Sequence, residues 1–412
     1  MISTETFDVL IIGGGASGLI AASRAAENGK KVAVLEKNAV FAKKVRITGK
    51  GRCNLTNSCD SSAFMQNIPR NGKFLYSAFN SFSNLDCIDF FEKNGVATKV
   101  ERGNRVFPVS DSAHDIAKCL IDSATKNGAK LLKNHAVKRI ATENGSVIGV
   151  QLIDDSFLPA KSVIIATGGM SYTGTGSTGD GYEFSRALGH SIIPPKPSLV
   201  PLNTAEKLVK DLSGLALKNV AIKVVDSNNK TIYEDFGELL FTHFGLSGPI
   251  ILSASAHIND FSTRPKIFID LKPALTTEIL NKRVQSDFAQ YVNKDFTNSL
   301  DDLLPKSLIP IIVNLCQIPT HQKVNQISKE QRLKLVELLK NLPLTITSAR
   351  PIEEAIITSG GVNVREINPS TMESKLINGL FFAGEVIDVD AYTGGFNLQI
   401  AFSTGYLAGS NA

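Results

Sequence analysis

Residues 7–36 constrain this chain more than any other stretch. An apolar run, Phe7-Asp8-Val9-Leu10-Ile11-Ile12, is long enough for a buried strand, and Gly13-Gly14-Gly15-Ala16-Ser17-Gly18 after it fits G-x-G-x-x-G. An alanine-rich helical segment runs from Leu19 to Asn28 and stops at Gly29; a second strand, Lys31 to Leu35, ends on Glu36, 18 residues after the last glycine. Each part has a task in holding a dinucleotide. Gly13 allows the tight turn, Gly15 lets backbone approach a pyrophosphate, and Gly18 lets helix and strand pack closely. The N–H groups at the helix start, around Ala16 and Ser17, face the pyrophosphate, aided by the helix dipole. Glu36 accepts hydrogen bonds from the ribose hydroxyls of an adenosine and repels a 2′-phosphate, which argues against NADP in this site. A glycine-rich turn in an ordinary βαβ unit does not account for an acid at that strand end. The stretch predicts dinucleotide binding and leaves FAD or NAD open.

At 412 residues the chain is long enough for two or three domains. Hydrophobic content of 43% and charged content of 20% describe an ordinary globular protein, and no run of 18 apolar residues predicts a spanning helix. The opening residues 1–6 lack the basic and apolar regions of a signal peptide. Five scattered cysteines (Cys53, Cys59, Cys87, Cys119, Cys316) match no zinc spacing and suit a reducing cytoplasm; six histidines form no cluster, so no metal is expected. A net charge of +5 permits contact with nucleic acid without arguing for it.

Beyond Glu36 the sequence turns basic, with Lys37, Lys43, Lys44, Arg46, Lys50 and Arg52 interleaved with Gly49, Gly51 and Asn54. It reads as a loop, placed to touch cofactor phosphate or flavin. Phe74 to Asn94 predicts one helix, Val96 to Pro108 a hairpin turning at Gly103-Asn104, and Asp111 to Asn127 another helix. Lys130 to Ile140 and Ser146 to Ile153 read as strands, with Asn144-Gly145 as a type I′ turn. Ser162 to Ala166 is an apolar strand running into Thr167-Gly168-Gly169. Pro194, Pro195, Pro197 and Pro201 mark the exit from the first domain. Strand-like runs follow up to Leu271, then a mostly helical pattern from Thr276 to Lys340, broken at Pro305, Pro310 and Pro319. After Arg350-Pro351 the glycine-rich, apolar style returns, so the middle reads as an insertion within a nucleotide-binding domain.

A second matched element decides between the cofactors. Leu380-Phe381-Phe382-Ala383-Gly384-Glu385 is again a strand ending in a small residue plus an acid, and Tyr392-Thr393-Gly394-Gly395-Phe396-Asn397 leads into a helix from Leu398. An acid-bearing turn here can bind ribityl or pyrophosphate oxygens. The helix start at Gly395, Phe396 and Asn397 can point at the flavin edge where negative charge gathers on reduction. An NAD-only enzyme has no need of this element, so FAD is the expected cofactor.

Four stretches carry a resemblance: residues 45–57 (Val45-Arg46-Ile47-Thr48-Gly49-Lys50-Gly51-Arg52-Cys53-Asn54-Leu55-Thr56-Asn57), 176–182, 242–249 and 394–399. Together they resemble the YhiN/BaiN-like flavoproteins, also called the aminoacetone oxidase family, over essentially the full length; Lys50 departs from the glycine usual in relatives. The resemblance implies an α/β fold, a Rossmann-like FAD-binding domain of the two-dinucleotide-binding type, interrupted by a β-barrel and a small helical insert. Segments 1–195 and 351–412 would form the FAD domain, 196–273 with 341–350 the barrel, and 274–340 the helical part. It implies non-covalent FAD contacts at Gly13, Gly15, Ser17, Glu36, Lys37, the turn Arg52-Cys53-Asn54, Ala136, Val137, Thr167, Gly168, Gly384, Glu385, Asn397 and Leu398. Ala16, Gly18, Lys44, Gly51, Gly395 and Phe396 join this set from the local reading. Activities of relatives range over amine oxidation, reduction of steroid-like C=C bonds and formation of dihydrouridine in ribosomal RNA.

Two residues are candidates for chemistry. Cys53, after the first ribose acid, would protonate a carbon while flavin delivers hydride to its neighbour; the alternatives are a buried structural cysteine or, less favoured, a redox disulfide with Cys59. His243 precedes Ser247-Gly248-Pro249, a helix start with Ser247 as cap, and would bind substrate or donate a proton, or simply pack at an interface. Tyr392 and Thr393 would line the site, and Arg46 and Arg52 would hold an anionic substrate or balance reduced flavin. The favoured reading is an NAD(P)H-dependent reductase of an activated C=C bond, with uridine in ribosomal RNA as candidate substrate. No Rossmann domain of its own is expected for the nicotinamide, which would visit the flavin as a transient donor. The alternatives are an amine oxidase using O2 and a non-catalytic RNA-binding or assembly factor.

Overall fold

The computed structural model describes residues 6–412, so the opening residues 1–5, part of the stretch read above as no signal peptide, lie outside the described residues. The chain divides into two compact units, residues 1–197 with 352–412 and residues 198–351.

The first unit is built on a sheet whose centre is β1, Phe7–Ile12. β2, Val32–Glu36, pairs parallel to it on one side, followed by Lys130–Lys133; strand Phe157–Ile165 pairs parallel on the other side. These central strands are apolar along nearly their whole length because both faces are covered. The outer edge of Phe157–Ile165 is shared. Its first half pairs antiparallel with Ser146–Leu152, and its second half pairs parallel with Leu380–Phe382. Residues 163–165 and 380–382 therefore end side by side next to β1, which brings Thr167 and Glu385 to the same end of the sheet as Gly13.

Helix α1, Ala16–Glu27, packs against the C-terminal helix Phe396–Asn411, and glycine sets their separation. A Cβ on Gly405 would lie 2.4 Å from the Ser17 carbonyl oxygen, and one on Gly409 would lie 2.3 Å from that of Ala21. The expected helix from Phe74 to Asn94 is two, Tyr76–Ser81 and Asn84–Lys93. Ser83 stops the first and caps the second through a reciprocal box with Asp86. The break frees the Phe82 carbonyl, which accepts from Gln399 Nε2 at 3.0 Å and Ser403 Oγ at 2.6 Å on the C-terminal helix. The run 130–140 is likewise broken, at Asn134 with φ +58°, into Lys130–Lys133 and Val137–Glu143. The hairpin Thr98–Glu101/Arg105–Pro108 forms as expected, and Asn144-Gly145 has the positive φ values of a type I′ turn.

The basic stretch after Glu36 is not a plain loop. It contains a short helix, Lys43–Ile47, and a tight turn, Thr48–Gly51. Gly49, Lys50 and Gly51 all have positive φ, so exposed Lys50 stands where the backbone favours glycine. Relief of left-handed strain exceeds the added chain entropy, so Lys50→Gly is expected to raise stability by about 0.5 kcal/mol, read from a urea melt.

The second unit holds a closed barrel of six strands in the order Leu202–Thr204, Gly245–Ser247, Thr231–Thr242, Ala216–Val225, Lys266–Asp270, Leu342–Ala349. It closes because Leu202 pairs with both Leu246 and Ala349. In Ala216–Val225 the buried positions are Leu217, then Val220, Ile222 and Val224, with Val225 buried at the strand end; the odd step after Leu217 is a bulge that resets the alternation. Helices Thr277–Gln290, Ile309–Cys316 and Lys329–Lys340 lie between the last two barrel strands in sequence. Pro310 opens a helix rather than breaking one, because its missing N–H costs nothing in the first turn. The cap at Pro249 is Gly248, not Ser247, which belongs to the preceding strand.

Candidate active site

A cavity of about 450 Å³ runs along the first unit's sheet end. Gly13 to Ser17, Glu36, Lys37, Lys44, Ala136, Val137, Thr167, Gly168, Glu385, Asn397 and Leu398 stand together on its wall. Ala136 and Val137 reach it because the His135 N–H donates to the Glu36 carbonyl at 2.9 Å, carrying the chain past the end of β2.

The three motif glycines are required for different reasons. A Cβ on Gly13, where φ is +104°, would lie 2.5 Å from the Ala166 carbonyl oxygen, and one on Gly18 would lie 2.0 Å from that of Gly13. Gly15 differs: its backbone is extended and a Cβ there meets nothing within 4 Å. The protein itself does not need glycine at 15; the space beside it is open to a ligand. Gly15 caps α1 without any side-chain hydrogen bond, and Gly395 (φ +99°) caps the C-terminal helix in the same way. The first-turn N–H groups of both helices are thus unclaimed by a capping side chain, as anion sites require.

Glu36 is held rigidly. Its Oε2 accepts from the Gly14 N–H at 2.9 Å, and its Oε1 accepts from the Asn38 N–H at 2.8 Å and from Asn38 Nδ2 at 2.7 Å. With both lone pairs of Oε1 engaged by Asn38, it is Oε2 that keeps a further lone pair for a ribose hydroxyl. Lys37 Nζ donates to Asp180 Oδ2 at 2.6 Å. Lys44 Nζ donates to Glu385 Oε2 and to Ser171 Oγ, both at 2.7 Å. Burial alone would raise the Glu385 carboxyl, but the Lys44 charge and hydrogen bond, with donation from the Thr358 N–H (2.7 Å) and Ser171 Oγ (3.0 Å), hold it below the usual range. The Thr167 Oγ1 and Asn54 Oδ1 atoms are buried without a partner. These features fit FAD: open space at Gly15, two uncapped helix starts and a held ribose acid.

Other expected site residues stand elsewhere. Gly18, Gly51, Asn54, Gly384, Gly395 and Phe396 shape the neighbouring backbone without forming the wall. Arg52 is turned to Asp111 (Nε to Oδ1 2.9 Å) and Glu101, over the Phe107 ring at 4.3 Å, so its charge is matched within the hairpin region rather than offered to a ligand. Arg46 is directed to His114. The proton-donor reading of Cys53 is corrected: its thiol is 0% exposed, lies in the apolar core, and is pushed by burial up to about 12. All five cysteines are free, so no Cys53–Cys59 disulfide exists. Iodoacetamide at pH 8 is expected to label half-buried Cys59 and leave Cys53 untouched in native protein, checked by peptide mass spectrometry; a labelled Cys53 would contradict this placement. His243 is exposed at the turn between two barrel strands, edge-on to Phe244 at 5.0 Å, and is not a wall residue.

The sequence reading missed Asn38, Thr48, Ser171, Thr358 and Val389. Asn38, Thr48, Thr358 and Val389 are on the wall, and Ser171 and Thr358 hold Glu385. Asn38, two residues after the ribose acid, had a local signal; Ser171 and Thr358 are joined to Glu385 by hydrogen bonds across distant parts of the chain. Among the described residues there is no cluster able to hold a metal ion, and no helix is long and apolar enough to cross a membrane.

Residues 7–411 match the family described as HI0933-like protein Rossmann domain. The chain is 31% identical to a 3-dehydro-bile acid delta(4,6)-reductase of Clostridium scindens, covering 98% of each chain. It is 30% identical to a ribosomal RNA dihydrouridine synthase of Escherichia coli, covering 98% of this chain and 97% of the relative. A 3-ketosteroid delta1-dehydrogenase structure from Sterolibacterium denitrificans shares the fold, with a TM-score of 0.53 at 13% identity over 98% of this chain and 99% of that one. With the whole chain matched and the cavity shaped for a flavin dinucleotide, the protein belongs to the HI0933-like family and is an FAD-dependent oxidoreductase.

Proposed function

We propose that the enzyme takes electrons from NADH or NADPH and reduces an activated C=C bond, with uridine in ribosomal RNA as substrate. The observation that carries this reading is full-length similarity to two proteins whose names both describe saturation of a double bond. The net charge of +5 is compatible with an RNA substrate, and work on ribosomal RNA would be done in the cytoplasm.

FAD, when bound, supplies the two-electron carrier between nicotinamide and substrate. The chain's own residues hold it. Glu36 would accept from the adenosine ribose, the first turn of α1 would receive the pyrophosphate, and Gly15 would leave room for it. The N–H groups at Asn397 and Leu398 would face the ring edge that gains charge on reduction. The Asn397 side chain does not take part directly: its Oδ1 accepts from the Ala391 N–H (2.9 Å) and its Nδ2 donates to the Ala391 carbonyl (2.7 Å), which fixes the helix start.

The test is mass spectrometry of ribosomal RNA from a strain lacking the gene, paired with purified protein, NADH or NADPH, and that RNA. Loss of one dihydrouridine and its restoration in vitro are expected. Unchanged dihydrouridine, with small amines oxidised and peroxide released, would replace this reading by the oxidase.

A further inference from the structure

Residues 171–179, Ser171-Tyr172-Thr173-Gly174-Thr175-Gly176-Ser177-Thr178-Gly179, contain only glycine, serine and threonine apart from one tyrosine. Tyr172 is 39% exposed, belongs to neither apolar core, and has φ +51°, which a bulky side chain rarely adopts. The backbone–backbone hydrogen bonds of the segment stay within it or run to helix Asp180–Ala187, which follows it. A stretch with so little buried apolar contact opens at low cost unless something ties it down. Side chains from residues 37–44 do so. Lys37 Nζ donates to Thr178 Oγ1 and to Asp180 Oδ2, the latter at 2.6 Å. Asn38 Nδ2 donates to the Thr175 carbonyl at 3.3 Å, Lys43 Nζ to the Gly174 carbonyl at 2.7 Å, and Lys44 Nζ to Ser171 Oγ at 2.7 Å. Residues 37–44 follow β2 and residues 171–179 follow strand Phe157–Ile165, and these two strands flank β1. The ties therefore join loops from either side of β1, whose own end is the Gly13–Gly15 turn. Thr175, Gly176 and Ser177 stand on the cavity wall with Glu36, and Asn38 Nδ2 also donates to Glu36 Oε1.

We propose that residues 171–179 are a strap closed over the adenosine end of the cavity, that the Lys37–Asp180 ion pair is its latch, and that FAD enters and leaves only when the strap opens. Loosening the latch raises the open fraction of empty and loaded protein alike, so both rates rise while the affinity, their ratio, stays the same. The Lys37 and Asp180 side chains are 30% and 40% exposed, and one such pair favours the closed form by about fivefold. A lysine acting only as a phosphate ligand behaves differently: its loss speeds release without speeding entry, and removing Asp180 frees it to hold the phosphate longer.

This rests on FAD occupying the cavity, but not on the substrate or the electron donor. The test is the rate of FAD uptake by apoprotein and of FAD release after dilution, followed by flavin fluorescence in Lys37→Met and Asp180→Ala. Both rates are expected to rise about fivefold in both variants, with Kd within about twofold of wild type. Chymotrypsin cleavage after Tyr172, read by peptide mass spectrometry, reports the open population without needing bound FAD and is expected to quicken by the same factor. Wild-type rates in either variant, faster release in Lys37→Met with slower release in Asp180→Ala, or unchanged cleavage after Tyr172, would overturn the proposal. Failure of the ribosomal RNA reading would leave these rates unaffected.

Discussion

Gly15→Val is expected to give a protein that folds normally and does not hold FAD. The position is extended and a Cβ meets no protein atom within 4 Å, so the apoprotein has no steric reason to unfold. The added side chain enters the space beside the α1 N-terminus that a pyrophosphate must occupy. A loss of about 100-fold in FAD affinity, equivalent to about 2.7 kcal/mol, is the expected scale. It is read from flavin fluorescence on titration, with circular dichroism and the apoprotein melt unchanged. An apoprotein that unfolds, or a yellow variant with wild-type affinity, would show that the open space has another purpose.

Gly18→Ala is expected to fail in the opposite way. Three residues along the same motif, one added methyl would sit 2.0 Å from the Gly13 carbonyl oxygen and 3.3 Å from Ile11 Cγ2. Neither can yield, because the Gly13 backbone is itself fixed against Ala166 and Ile11 is wholly buried in the central strand. Overpacking of this kind costs about 3 kcal/mol, seen as a lower urea midpoint already in the apoprotein. FAD affinity would then fall only as far as the fold is lost. The pair separates what the ligand demands of the motif from what the packing demands.

Local chemistry made part of this legible in the sequence. The strand, glycine turn, helix and acid of residues 7–36 lie within one βαβ unit, so their spacing alone locates Gly15 and Glu36 on the cavity wall. Asn144-Gly145 and Gly103-Asn104 announce their turns because positive φ selects those residues. Periodicity hid the break at Ser83: the phenylalanines on either side share one core, and the capping box with Asp86 is a weaker signal than four aromatic residues. Cys53 was misread because proximity in sequence to Glu36 says nothing about direction. Its backbone, with φ +60°, leaves the thiol in the apolar core, not the cavity. Thr358, Ser171 and Val389 could not be found from spacing at all. Thr358 and Ser171 meet Glu385 through hydrogen bonds that join distant parts of the chain.

The most direct test is anaerobic stopped-flow absorbance of the FAD-loaded protein mixed with NADH and with NADPH, followed by ribosomal RNA lacking dihydrouridine. Bleaching of the flavin by one nucleotide, slow return in air, and fast return on adding the RNA are expected. No bleaching by either nucleotide, with bleaching by small amines and rapid recovery in air, would contradict the reductase reading.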